Sequence, residues 1–404
     1  MKKNISRKDF IKNSAFGLAG LAVTDFSGIH ILSSAKSPVR VGIIGTGNRG
    51  NGIIYTINRS VKDLKVTGIC DIHKPNLQRG LKMAGNNPKV YNDYRRMLDD
   101  KNIDAVFITT PIHNHHPMAL NAISARKHIY LEKTMTINIQ QALDIARRMK
   151  GVKNQVLQVG HQYRYYEMFP QIKELLKNGL VGKITKVECQ YNRNSDWEPG
   201  FAIHPKTGKL VNWRLYQDIS GGLLGELSSH QIDVTNWLLD ALPEKVVAMG
   251  DVNFYTNDDR TCWDNVHAVY NYPGGIKNSV VSILSNEHTG YMIKIFGNEG
   301  TLEVGRNKAT LYLERKKKEK VILDGVTGAT KEALDKGEGM VVCTDKVGKD
   351  PTVYALEAFA DCVINNKKPF CDAEKGKETA ISVHMANNAV ASGKTEYWKK
   401  EYNS

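Results

Sequence analysis

The stretch that most restricts this chain runs from Pro38 to Ile57. A β-branched segment, Pro38-Val-Arg-Val-Gly-Ile-Ile44, leads straight into Gly45-Thr46-Gly47-Asn48-Arg49-Gly50, and Ile53, Ile54, Tyr55 and Ile57 then recur at helical spacing. A G-x-G-x-x-G turn between a strand and a helix is the phosphate cradle of a dinucleotide-binding βαβ unit: the glycines permit the tight turn, close approach to a pyrophosphate and close helix-strand packing. A second strand, Leu64 to Cys70, ends in Asp71, 21 residues beyond Gly50. A carboxylate there accepts ribose hydroxyls and repels a 2′-phosphate, so NAD is expected over NADP.

The alternation continues with helix Tyr94–Asp99, strand Ala105–Thr109, helix Pro117–Ala125, strand His128–Leu131, helix Ile139–Arg148 and strand Val156–Val159. Strand and helix taking turns predicts a doubly wound parallel sheet. After Val159 the pattern changes to strands at Ile184–Tyr191, Val246–Tyr255, Asn265–Tyr272, Ile276–Leu284 and Tyr291–Phe296 with few helices between them, which predicts a largely antiparallel sheet. Such a sheet, covered on one face and open on the other, suits a substrate wall or a self-association surface, so a homo-oligomer is expected. At 404 residues with 41% hydrophobic side chains, two domains are the natural division. The boundaries expected are 38–159 for the Rossmann domain, 160–352 for an α+β substrate domain and 353–398 for helices that pack back on the core.

Composition excludes several classes. Glycine and proline counts are ordinary, no repeat is visible and no long apolar run follows the N-terminus, which removes collagen, solenoids and stable membrane insertion. The formal charge of +14 is scattered, and the one dense run, Glu314 to Lys320, is interrupted by acids. No nucleic-acid partner is expected; an anionic sugar or glycan is the better match to the charge. The six cysteines show no C-x-x-C spacing, and no metal site is expected.

Residues 1–35 have the layout of an export signal: Met1-Lys-Lys and further basic residues, a modest apolar stretch from Ser14 to Val23, and small residues at Ser33-Ser34-Ala35. Ser6-Arg7-Lys8-Asp9-Phe10-Ile11-Lys12 resembles a twin-arginine signal, with Lys8 in place of the second arginine. A periplasmic location is expected, or a cytoplasmic one if that segment is an arm that stays on the protein.

Two further motifs resemble the glucose-fructose oxidoreductase / inositol dehydrogenase / rhizopine catabolism (Gfo/Idh/MocA) family. One is Thr110-Pro111-Ile-His113-Asn-His115-His-Pro117 followed by Glu132-Lys133, with Thr134 in place of the family's proline and Arg126 in place of its glycine. The other is Gly221-Gly222-Leu-Leu-Gly-Glu226-Leu-Ser-Ser-His230-Gln-Ile-Asp233, with Glu226 where the family usually has Asp. The resemblance implies hydride transfer between a sugar or cyclitol carbinol and NAD, with Lys133, His230 and Glu226 as catalytic residues. It also implies cofactor contacts from Gly45, Thr46, Gly47, Asn48, Arg49, Gly50, Asp71, Thr110, Pro111, His115, Glu132, Lys133, Gln162, Trp213 and Arg214.

Spacing i, i+4 on a regular helix puts Glu226 and His230 on one face, where the carboxylate would orient the imidazole. His161, Tyr163, Arg164 and Asn212 offer aromatic faces and donors suited to a sugar ring, and Asp233 joins them as a substrate-binding candidate. Export would separate the enzyme from any free dinucleotide pool. A retained cofactor must then be regenerated in each cycle, by paired sugar oxidation and reduction or by an NAD-dependent glycosidase that oxidises, eliminates, adds water and returns the hydride. A non-catalytic sugar or cofactor sensor is the remaining class, disfavoured by the retained Lys133, Glu226 and His230.

Overall fold

The computed structural model describes residues 37–85, 87–197, 208–314, 339–345 and 348–403. The export segment and the charged run after Glu314 lie outside the described residues. Six short strands, β1 (Val39–Ile44), β2 (Leu64–Cys70), β3 (Lys89–Tyr91), β4 (Ala105–Ile108), β5 (His128–Leu131) and β6 (Leu157–Val159), pair in parallel in the order β3-β2-β1-β4-β5-β6. Strand order reverses between β1 and β4, which opens a crevice at their carboxyl ends. The β-branched content of these strands follows from burial on both faces: Val41, Ile43, Phe107, Ile108 and Ile129 are fully enclosed.

Helices α1 (Asn48–Ser60), α2 (Lys74–Ala84), α3 (Tyr94–Asp99), α4 (His115–Ser124) and α5 (Ile139–Met149) fill the crossovers. Their N-termini are not alike. Asp93 caps α3 by accepting from the Arg95 amide at 2.9 Å, and Asn138 caps α5 by accepting from Gln141 at 2.9 Å. At α1 the cap residue is Gly47, with no side chain to satisfy the first amides and no acid in the first turn.

The second sheet has nine strands in the order β14-β13-β12-β11-β7-β10-β9-β8-β15: β7 (Ile184–Tyr191), β8 (Lys245–Asp251), β9 (Asn265–Asn271), β10 (Lys277–Ile283), β11 (Tyr291–Gly297), β12 (Gly300–Val304), β13 (Lys308–Leu313), β14 (Met340–Thr344) and β15 (Glu396–Tyr397). The pairing is antiparallel except between β7 and β10. The α/β architecture expected from the alternation is therefore observed. One face, with Val187, Cys189, Tyr191, Ile293 and Ile295, is covered by α6 (Met168–Lys177), α7 (Ser229–Leu238) and α9 (Ala373–Ser392). The other face leaves Val247, Met249, Val269 and Val341 exposed, and the expectation of self-association rests on it.

The two sheets are tied by returning chain. Helix α8 (Pro351–Ile364) crosses back to the first sheet and drives Phe359 edge-on against Phe107 and Tyr130, at centroid distances of 5.1 and 5.8 Å. Where the turn after β6 meets α7, Arg164 Nε donates to Asp233 at 2.8 Å, and Thr379 Oγ1 from α9 donates to the same carboxylate at 2.8 Å. Both charged groups are fully buried, so each satisfies the other. Arg164 and Asp233, expected at the sugar, are committed to this internal pair.

If α8 is part of the core of the first sheet, Phe359→Ala removes the ring that seals Phe107 and Tyr130 and lowers unfolding free energy by about 3–5 kcal/mol. Chemical denaturation measures it, and a loss under ~1 kcal/mol would show that α8 is a dispensable appendage.

Candidate active site

The glycine turn sits at the β1/β4 crevice. Gly45 has φ +92°, a left-handed conformation that favours glycine. Asp71 fixes the turn from the end of β2: one carboxylate oxygen accepts from the Thr46 amide at 2.7 Å and the other from the His73 amide at 2.8 Å. A Cβ at Gly50 would stand 2.0 Å from the Gly45 carbonyl oxygen, so packing alone requires glycine there. Gly47 is different. Its φ of −64° suits any residue, and a Cβ there would meet nothing closer than Asn76 Nδ2 at 4.0 Å. No protein contact accounts for that glycine, while close approach of a pyrophosphate to the uncapped α1 amides does. Beside it, the buried Arg49 Nη2 has no partner. The residues present therefore fit a dinucleotide.

At the end of β5, Glu132 accepts from Arg49 Nε at 2.5 Å and from the Lys133 amide at 3.1 Å, joining the strand to the glycine turn. The Lys133–Thr134 peptide is cis. Across the domain boundary lies Leu224–Ser228, which is a wide π-helical turn and not regular α-helix. Such turns loosen the usual carbonyl ladder and recur at functional sites. Here the Gly225 carbonyl accepts from Thr134 Oγ1 at 2.9 Å, and the Glu226 carbonyl accepts from Lys133 Nζ at 2.7 Å. Lys133 is thus held by backbone from the other domain.

The π turn also changes the expected relay. Glu226 does not bond His230; its carboxylate accepts from Arg214 Nε at 2.7 Å, with Lys133 Nζ 3.7 Å from the other oxygen. The i, i+4 reasoning assumed a regular helix, and the wider turn moves the two side chains off a common face. Burial alone would raise the Glu226 carboxyl, but the charges of Lys133 and Arg214 outweigh it and hold the group below the usual carboxylate range.

His230 is buried, with Nδ1 unpartnered. Tyr163 packs edge-on to its ring at 5.0 Å and His161 at 6.3 Å. Burial, then the charge of Lys133 and the proximity of His161, push His230 well below the ordinary histidine value, so it stands as a neutral base. Both His161 nitrogens, Gln162 Oε1 and Asn212 Oδ1 are also buried without partners. Buried polar atoms are normally satisfied, and the unpartnered nitrogens of the adjacent His161 and His230 rings suit completion by a polar ligand. Trp213 lies under the Arg214 guanidinium at 4.3 Å.

His115, expected at the cofactor, is placed otherwise. Its ring bridges the Thr110 and Thr134 carbonyls at 2.9 and 3.0 Å, so it clamps the segment after Pro111 to the Lys133–Thr134 turn. Two residues near His230 were absent from the sequence reading: Arg193 just after β7 and Arg306 in the β12–β13 turn, both hydrogen-bonded to the Tyr191 hydroxyl. No local spacing signals them, because the two arginines are brought together only by sheet pairing.

The two glycines separate cofactor binding from folding. Gly47→Ala is expected to leave the fold within about 0.5 kcal/mol of the parent while weakening NAD binding at least ~10-fold. Gly50→Ala is expected to cost about 1–3 kcal/mol of stability through the contact with Gly45. Melting curves and NADH fluorescence titration check both, and undiminished NAD affinity in Gly47→Ala would contradict the cradle.

Residues 39–161 match the family described as an oxidoreductase family with an NAD-binding Rossmann fold, and residues 169–303 match the GFO/IDH/MocA C-terminal domain. The chain is similar to the uncharacterized oxidoreductase YrbE of Bacillus subtilis, at 30% identity over 87% of this chain and 94% of that one. It is 22% identical to myo-inositol 2-dehydrogenase of Thermotoga maritima, over 87% of this chain and 96% of the relative. A glycosyl hydrolase family 109 protein of Shewanella baltica is 28% identical over 53% of this chain and 50% of its own length. Among solved structures, a levoglucosan dehydrogenase in complex with NADH and levoglucosan superposes with a TM-score of 0.72 at 18% identity, covering 89% of this chain and 99% of that one, and shares the fold. A NAD-cradling turn, a matching second domain and relatives aligned over most of their length make this chain a member of the Gfo/Idh/MocA family, an NAD-dependent sugar oxidoreductase.

Proposed function

We propose that the enzyme oxidises a ring carbinol of a sugar or cyclitol, with His230 taking the hydroxyl proton and Lys133 hydrogen-bonding the reacting oxygen. The observation that carries this reading is the buried His230 ring, its Nδ1 unpartnered, close enough to Lys133 for the lysine charge to act on it. NAD, when bound, supplies the hydride acceptor. Lys133 Nζ has three donors; the Glu226 carbonyl at 2.7 Å and the Gly225 carbonyl at 3.5 Å take two, and one remains for a substrate oxygen. Glu226 acts as a positioning residue, holding Lys133 and Arg214. His161, whose ring stands 6.3 Å from that of His230, and the unpartnered amide oxygens of Gln162 and Asn212 suit sugar hydroxyls.

The sign of the His230 shift gives a pH signature. An imidazole held below its ordinary value stays deprotonated, and so basic, below pH 6.5. The acid limb of kcat/KM for carbinol oxidation is therefore expected below pH 6.5. His230→Gln and Lys133→Met each lower kcat by about 10²–10⁴-fold while NAD stays bound. An acid limb above pH 6.5, or undiminished turnover in either variant, would contradict the assignment.

The basic, then apolar, N-terminal segment supports export, and export favours NAD retained through the cycle. Similarity to a family 109 glycosyl hydrolase supports a second reading, redox-neutral glycoside cleavage. Protein isolated without added cofactor, then denatured, is expected to release near-stoichiometric NAD by mass spectrometry. Sugars that reduce it favour the dehydrogenase; glycosides that lose their aglycone with no net NADH favour the hydrolase. An empty site that fills only from added NAD would end the retention argument.

A further inference from the structure

Most cations near the site are matched by carboxylates. Arg49 pairs with Glu132, Arg214 and Lys133 with Glu226, and Arg164 with Asp233. Arg193 and Arg306 are not. Among the described residues no carboxylate forms an ion pair with either; both converge instead on one phenol. Tyr191 Oη accepts from Arg193 Nη2 at 3.0 Å and from Arg306 Nη2 at 3.4 Å. The guanidiniums stand 5.2 and 5.6 Å from the Tyr191 ring, and Arg306 also faces Tyr291 at 5.9 Å.

Two like charges brought to one oxygen repel each other, and a lone neutral phenol is a poor counterion. Burial would raise the Tyr191 hydroxyl, yet the two guanidiniums hold it below the ordinary tyrosine value. The positive charge there is uncompensated by the protein.

This spot adjoins the candidate catalytic base. The Tyr191 and His230 ring centroids are 6.5 Å apart, so the phenol that gathers the two arginines packs beside the imidazole. Nearby, the hydroxyl of the buried Tyr291 and Oδ1 of the buried Asn192 have no partners, like both nitrogens of His161. Arg193 and Arg306 belong to the second sheet and not to the glycine turn, so the cofactor's pyrophosphate is not their anion.

We propose that the substrate is an anionic sugar, whose carboxylate or sulfate group is held between Arg193 and Arg306 while a carbinol of the same ring faces His230 and Lys133. A guanidinium presents a planar fork of donors that matches either group, and charge-assisted pairs of this kind are the stronger hydrogen bonds. The inference rests on the proposed placement of the reacting carbinol at His230, and it adds what the far end of the ring carries.

The test is calorimetric titration of the NAD-loaded protein with glucose, glucuronate and glucose 6-sulfate, and with galactose, galacturonate and galactose 6-sulfate. In at least one series the anion is expected to bind about 10- to 100-fold more tightly than the neutral sugar. Arg193→Gln and Arg306→Gln should each pull that ratio toward unity. Both side chains are exposed, so an unchanged melting temperature and NAD content will show that the variants fold. An advantage for the acid alone identifies a uronate, and for the ester alone a sulfated sugar. Neutral sugars binding as well as the anions, no measurable binding by any anion, or a preference that survives both substitutions would overturn the proposal. NADH formation on the same compounds is read separately: tight anion binding without turnover leaves the charge assignment standing and removes the roles given to Lys133 and His230.

Discussion

The site depends on how the end of β5 meets the π turn at Leu224–Ser228. A regular helix would spend its carbonyls on its own amides. The wider turn instead offers Gly225 and Glu226 carbonyls to Thr134 Oγ1 and Lys133 Nζ. Those two bonds tie the end of β5 to the second domain, and the lysine is fixed by backbone rather than by a mobile side chain. Glu132, one residue earlier, ties the same strand end to Arg49 in the glycine turn. Cofactor cradle, lysine and the turn that leads into α7, the helix carrying His230, are thereby parts of one short chain of contacts.

Charge in this region is arranged, not merely abundant. The formal +14 is spread over the whole sequence and says little. What matters is where cations are neutralised. Arg164 and Asp233 are sealed against each other under α9, where either one alone would be costly to bury. Glu226 serves Lys133 and Arg214 together. His230 is left neutral by burial among positive neighbours, and Arg193 and Arg306 are left over.

Much of this was legible from local sequence. The glycine turn, Asp71 and the strand-helix alternation are short-range patterns, and the parallel sheet follows from them. Glu132-Lys133 and the segment around His230 could be found because their motifs are contiguous. Partner choice was less legible. Glu226 was read as the orienter of His230 because the spacing assumed 3.6 residues per turn, and the π turn breaks that assumption. Arg164 and Asp233 look like ligand residues until the fold shows them facing each other. His115 sits in the cofactor motif, yet both its nitrogens face backbone carbonyls. Arg193 stands two residues from Tyr191, but Arg306 lies more than a hundred residues on, and only the antiparallel sheet brings it to the same hydroxyl.

The central claim is that His230 is a neutral base, buried beside Lys133 with Nδ1 unpartnered and no carboxylate bonded to it. Nitrogen-15 NMR of the histidine rings, followed through a pH titration with and without bound sugar, tests it most directly. The account predicts that the His230 ring stays neutral to well below pH 6.5 and that its Nδ1 resonance moves when sugar binds. A His230 that carries its proton at or above pH 6.5, or whose Nδ1 signal ignores the sugar, would contradict it.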